Sequence, residues 1–247
     1  MQDILTCAMG LDIHRDVIVA CLAKGELGTD PEIEIRSFST LIPEMRKLRD
    51  WVLEAECRYV AMESTGIYWQ PIYEMLEPCF DGQINILVVN ARHMKNVPGR
   101  KTDMRDAQWI ATLLRAGLLK GSFIPDKTFR ELRHLTRYRK SIVRDITAQK
   151  NRIDKFLQSS GFRFTAFLSD AFGASGRNII RHLMEYGNIS REALDRCLKT
   201  QTRKRIDEIL IALNGSLSEH QRGFLRMIFG HLEALEQHRH TVEDAIT

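Results

Sequence analysis

Asp103 and Asp106 stand three residues apart in the stretch Lys101-Thr102-Asp103-Met104-Arg105-Asp106, at the head of an apolar-periodic segment carrying Trp109, Ile110, Leu113 and Leu114. If that segment is helical, both carboxylates share one face of its first turn. Three cations, Arg100, Lys101 and Arg105, flank them. Metal-binding carboxylates beside cations that can hold phosphate are the ingredients of phosphodiester chemistry. Two acids in a first turn also complement the helix macrodipole and cap free N–H groups, so the pair needs partners from elsewhere before it specifies a site. Two further acids qualify. Asp12 ends the apolar stretch that begins at Ile4, and Glu63 follows Tyr59-Val60-Ala61-Met62. A carboxylate where a strand leaves the core needs a cation or hydrogen-bond donors nearby, although Asp12 could equally cap a turn.

The elements that must position these four acids can be read in order. Residues 4–12 and 16–22 are two apolar strands around a break at Ile13-His14-Arg15, and Glu32 to Phe38 alternates as a third, half-buried strand. Pro43 opens an amphipathic helix carrying Met45, Leu48, Trp51, Val52 and Ala55. A short fourth strand ends at Glu63, Ile67 to Leu76 is a second helix, and Ile84 to Val89 a buried fifth strand. The loop from Asn90 to Arg100 leads to the acidic pair. The order β-β-β-α-β-α-β-α is that of a ribonuclease H-like α/β domain. There the ends of the first and fourth strands are neighbours, and the helix after the fifth can reach the same edge. Asp12, Glu63, Asp103 and Asp106 would then converge, a donor set suited to two Mg²⁺ ions ~3.5 to 4 Å apart.

Residues 123–247 read as all-α, giving an expected division into an α/β domain over residues 1–122 and a helical, coiled-coil-containing region over 123–247. A long helix from Asp126 to Ser159 places Leu132, Leu135, Ile142, Ile146, Ile153 and Phe156 at 3-4 spacing, interrupted by Arg139 and Gln149. Short helices over Ser175 to Tyr186 and Thr202 to Leu213 follow, with Phe164, Phe167, Phe172 and Leu183 as core. From Ser218 a second long helix carries Leu225, Ile228, Leu232, Leu235, Val242 and Ile246, interrupted by Arg239. Such seams predict self-association, with a dimer as the minimum.

The net charge of +4 hides a polarity along the chain. Residues 1–91 hold seven Lys/Arg against fifteen Asp/Glu, residues 92–155 seventeen against six, and the remainder twelve against eleven. An acidic domain followed by a basic segment is the footprint of a polyanion partner. The cations expected to contact nucleic acid are Arg92, Lys95, Arg100, Lys101, Arg105, Arg133, Arg137, Arg139, Lys140 and Arg144. A solvated basic helix is the plainer alternative. No run approaches the ~18 to 20 apolar residues of a membrane span, and Met1-Gln2-Asp3 lacks a cationic signal-peptide start, so a cytoplasmic protein is expected. The five cysteines show no zinc-type spacing and should be reduced thiols.

The motifs G-L-D-I-H-R-D (Gly10 to Asp16), A-M-E-S-T-G-I-Y-W (Ala61 to Trp69), V-V-N-A-R-H-x-K-x-V-P-G-R-K-T-D-x-x-D-A-x-W-I-A (Val88 to Ala111), and G-S-F-I-P followed by R-E-L-R-x-L-T-R-Y-R (to Arg139) resemble the insertion-sequence one-ten family of DEDD transposases from bacteria and archaea. The resemblance implies a RuvC-like catalytic domain whose four acidic positions are Asp12, Glu63, Asp103 and Asp106, using Mg²⁺. It further implies donor and target DNA as substrates, a structured bridge RNA as guide, a coiled coil for dimer or tetramer assembly, and a C-terminal domain with a catalytic serine. The helical pattern runs on to Thr247, so this sequence is expected to be the N-terminal part of such a protein without that domain, and none of Ser64, Ser141 and Ser175 stands in the nucleophile's context. Strand exchange is therefore expected to need more than this chain. Two other readings fit the same residues: a RuvC-like Holliday-junction endonuclease that needs no serine, and an inactive, truncated nucleic-acid-binding fragment.

Overall fold

The structure is a computed structural model and describes residues 3–64, 66–90 and 106–246. It divides into two units, Met1–Ile124 and Pro125–Thr247.

In the first unit, β1 (Cys7–Ile13), β2 (Val17–Lys24), β3 (Glu32–Ser39), β4 (Tyr59–Glu63) and β5 (Asn85–Val89) form one sheet in the order β3-β2-β1-β4-β5. The first three are an antiparallel meander, whereas β4 and β5 join β1 in parallel. The central strand is buried on both faces, which is why it reads as an unbroken apolar run. Its two faces differ in size. Met9 and Leu11 join Leu22, Val60, Met62 and Val88 under α1 (Ile42–Glu54) and α2 (Trp69–Leu76), where Leu48, Trp51 and Ile72 fill the volume. The opposite face presents Ala8, Gly10 and Ala61, and α3 (Asp106–Arg115) lies against it through Ala107, Ile110, Ala111 and Leu114. Small residues on both partners let this helix approach closely.

The last residue of α3 fixes its far end. Arg115 is 1% exposed, an unusual place for a guanidinium. Its Nε donates to Leu5 O (3.0 Å) and its Nη2 to Glu26 O (2.8 Å) and Gly25 O (3.3 Å), while Asp3 Oδ2 lies 3.4 Å from Nη1. The Arg115 carbonyl in turn accepts from Ile4 and Leu5. One side chain thus ties the helix to the start of the chain and to the β2–β3 connection. Arg115→Leu takes the donor from those part-buried carbonyls and removes a buried, paired guanidinium, and should cost this unit about 3 kcal/mol, measured by urea denaturation. A loss below about 0.5 kcal/mol would reduce Arg115 to the worth of a surface ion pair.

The second unit is helical: α4 (Lys127–Ser159), α5 (Ala174–Tyr186), α6 (Arg191–Cys197), α7 (Thr200–Arg203), α8 (Ile206–Ala212) and α9 (Glu219–Ile246). The helix expected over Thr202 to Leu213 is divided into α7 and α8. Asp126 caps α4 by accepting from Phe129 N at 3.1 Å. Ile142, Ile146, Ile153 and Leu157 of α4 share a core with Leu225, Ile228, Phe229, Leu232 and Val242 of α9, so the two seams cover each other within the chain. Leu157 takes the fully buried place expected of Phe156, which is partly buried. The polar interruptions are cross-links. Gln149 Nε2 donates to Ile228 O at 2.6 Å, and Arg139 pairs with Glu243 through bonds of 2.6 and 2.8 Å. Phe129, Leu132 and Tyr138 of α4 and Met227 of α9 stay exposed outside this shared core. All five cysteines are free. No helix among the described residues is long and apolar enough to cross a membrane.

Candidate functional site

The parallel pairing of β1 with β4 puts Gly10 beside Ala61 and Leu11 beside Met62. One step further along these neighbouring strands stand Asp12 and Glu63. By the two-residue alternation of a strand, both belong to the Gly10–Ala61 face, the one α3 covers. The third acid arrives from that helix. Asp106 is the first residue of α3, exposed, and immediately precedes Ala107.

The approach of α3 is close enough to exclude any side chain from position 10. A Cβ built on Gly10 would lie 2.2 Å from Ala107 O and 2.4 Å from Ala111 N. Because Asp12 lies two residues beyond Gly10 on the same face, and Asp106 one residue before Ala107, this contact sets where the helix head stands against the strand end. Neither Gly10 nor Arg115 was singled out from the sequence. A glycine in an apolar strand signals close approach of another backbone, so Gly10 carries a local mark; Arg115, a cation in a last helical turn, carries none.

The Asp12 carboxylate is partly sheltered, its side chain 16% exposed, and its Oδ2 lies 3.2 Å from His14 Nε2. Glu63 is half-buried at the end of β4, and the next amide, Ser64 N, donates to Val89 O of β5 at 2.9 Å, so the strand end is held on its outer side. Asp12, Glu63 and Asp106 thus share one face and one edge, but among the described residues no three His, Cys, Asp or Glu side chains gather closely enough to hold a cation as they stand. Asp103 lies outside the described residues, as do Arg92, Lys95, Arg100, Lys101 and Arg105. The oxygen-only donors that are described suit a hard divalent ion such as Mg²⁺ or Mn²⁺.

The remaining expected contacts to nucleic acid lie on α4. Arg133, Arg137, Arg139, Lys140 and Arg144 are all exposed. Arg139 differs from the others because Glu243 of α9 already holds its guanidinium.

No curated protein matches this chain. A family model for DEDD transposases of the IS110 type, described as Transposase, matches residues 9–161, well over half of the sequence and inclusive of Asp12, Glu63, Asp103, Asp106 and α4. The chain therefore belongs to the insertion-sequence one-ten family of DEDD transposases.

Proposed function

We propose that this chain carries the acidic, metal-dependent cleavage site of a transposase that cuts and exchanges DNA strands under the guidance of a structured RNA, on a ribonuclease H-like scaffold. The observation that carries the reading is the placement of Asp12 and Glu63 at the ends of adjacent parallel strands, on the face where α3 delivers Asp106. Asp12, Glu63, Asp103 and Asp106 are the residues that would hold the cation. When bound, Mg²⁺ supplies Lewis-acid polarisation of the scissile phosphate. The chain's own part is positional. The parallel register of β1 and β4 sets Asp12 and Glu63 opposite each other, one step beyond the Leu11–Met62 pair, and the packing of α3 on Gly10 sets the stand-off of Asp106.

The nucleic acid is held, in this reading, by the exposed cations of α4. Each contacted phosphate releases condensed counterions, so log K should fall with log[salt] by ~0.9 per contact for duplex DNA and ~0.7 for single strands. Replacing Arg137, Lys140 and Arg144 together by alanine should lower the slope for duplex DNA by about 2 to 3 and weaken binding to all sequences alike, since phosphate contacts position without reading bases. Arg139→Ala should leave the slope nearly unchanged and lower stability, because its partner is Glu243. Guide RNA should compete better than random duplex, as its loops and 2′-hydroxyls offer contacts B-form DNA lacks. Fluorescence anisotropy over a salt series with RNA and DNA measures the slopes and the competition, and thermal denaturation the stability of Arg139→Ala. An unchanged slope in the triple variant would make α4 a solvated face.

A further inference from the structure

We propose that His14 is the positioning residue for the Asp12 carboxylate: its ring Nε2–H donates to Asp12 Oδ2 and leaves Oδ1 as the oxygen offered to a divalent cation. The inference rests on the reading of Asp12 as a metal ligand and goes beyond it by assigning which oxygen binds and what holds it. The ring nitrogen and Oδ2 are 3.2 Å apart. A carboxylate only accepts, so the shared hydrogen belongs to the imidazole, and His14 carries it on Nε2.

The imidazole stands on a turn held by two hydrogen bonds. His14 N donates to Val17 O at 2.9 Å, closing the β1–β2 turn directly after the Ile13–Ile18 rung. Thr40 Oγ1 donates to Arg15 O at 2.8 Å, fastening the same turn to the chain just past β3. Asp12 itself sits on a strand, where its backbone is fixed but the terminal torsion of its carboxylate has a broad, two-fold preference. Without a partner either oxygen can face the open edge. A hydrogen bond to one of them removes the degeneracy.

The His14 side chain is 59% exposed, so the bond contributes little to folding. Its effect falls on the ligand it orients. Loss of an outer partner of a metal-bound carboxylate typically weakens metal affinity by about 10- to 100-fold.

The test is Mn²⁺ binding to the whole chain, followed by electron paramagnetic resonance, with thermal midpoints recorded without metal. His14→Ala should raise the Mn²⁺ dissociation constant by about 10- to 100-fold with the midpoint unchanged. His14→Gln, whose amide N–H can reach the same oxygen but is a poor metal ligand, should restore most of the affinity; failure of this rescue would make His14 a direct ligand and overturn the assignment. Asp12→Asn should remove the site. If Asp12→Asn leaves Mn²⁺ binding intact, the reading of Asp12 falls and this proposal with it. If Asp12→Asn abolishes binding while His14→Ala leaves it unchanged, Asp12 stands as a ligand and the proposal for His14 alone is overturned.

Discussion

Asp12→Asn and Glu63→Gln should each reduce Mg²⁺-dependent DNA strand cleavage by the transposase at least about a thousandfold, with the melting transition unmoved. The amide keeps the size and shape of the side chain and removes the charge that attracts a hard cation. Several kcal/mol of charge stabilisation at the scissile phosphate then vanish, and each ~1.4 kcal/mol is tenfold in rate. The fold should not notice, because both residues sit at strand ends whose register is set by backbone pairing and by Leu11, Met62 and their neighbours. Asp12 and Glu63 stand opposite each other one step beyond the Leu11–Met62 pair and would serve one cation site, so the double variant should lose little more than either single one. Asp106→Asn separates two roles. If Asp106 only complements the macrodipole of α3, the change costs about 0.3 to 1 kcal/mol of stability and no activity; as a ligand, it costs rate instead. Single-turnover cleavage of a labelled duplex measures each case, and a rate above a tenth of wild type in both Asp12→Asn and Glu63→Gln would sink the acidic-site reading.

The strands were legible because burial leaves a plain mark on sequence. β1 is an apolar run with an acid one residue before its end, β4 an apolar run that ends in one, and β3 alternates as a strand with one face turned to solvent. Asp12, Glu63 and Asp106 stand out for the same reason, since each lies at or next to the boundary of an apolar element. What the residues could not declare is pairing across sequence distance. Arg115 binds carbonyls near ninety and more than a hundred positions away, at Gly25, Glu26 and Leu5, and nothing local marks a cation as buried. Gln149 and Arg139 looked like faults in a seam because a seam read one helix at a time cannot show the Ile228 carbonyl or Glu243 on the helix opposite. His14 was visible only as part of a turn. Its link to Asp12 depends on the turn closing so that residues two apart meet side chain to side chain.

Gly10→Ala should both destabilise the first unit and disarm the site, out of proportion to the one carbon added. The new Cβ would sit 2.2 Å from Ala107 O and 2.4 Å from Ala111 N, where contacts under 3.0 Å essentially never occur, so strand and helix must separate. Both atoms belong to the backbone of α3, and a rotamer change cannot relieve the clash. Forcing a close-packed contact apart costs about 1 to 3 kcal/mol. Arg115 holds the far end of α3 to the chain start, so the strain falls on the helix as a tilt or lift that carries Asp106 away from Asp12. A misplacement near 1 Å in a catalytic constellation can lower the rate about a hundredfold, and that loss should appear per folded molecule after correction for stability. Ala107→Gly should fail to rescue, because it removes a methyl group and leaves the clashing carbonyl in place. Gly230→Ala, in α9 with nothing within 4 Å of the added carbon, serves as the contrast and should stabilise its helix by up to about 1 kcal/mol. Urea denaturation and single-turnover cleavage on the three variants decide the matter: a Gly10→Ala protein as stable and as active as wild type would mean that α3 does not rest on β1 at this point, and the placement of Asp106 beside Asp12 would lose its support.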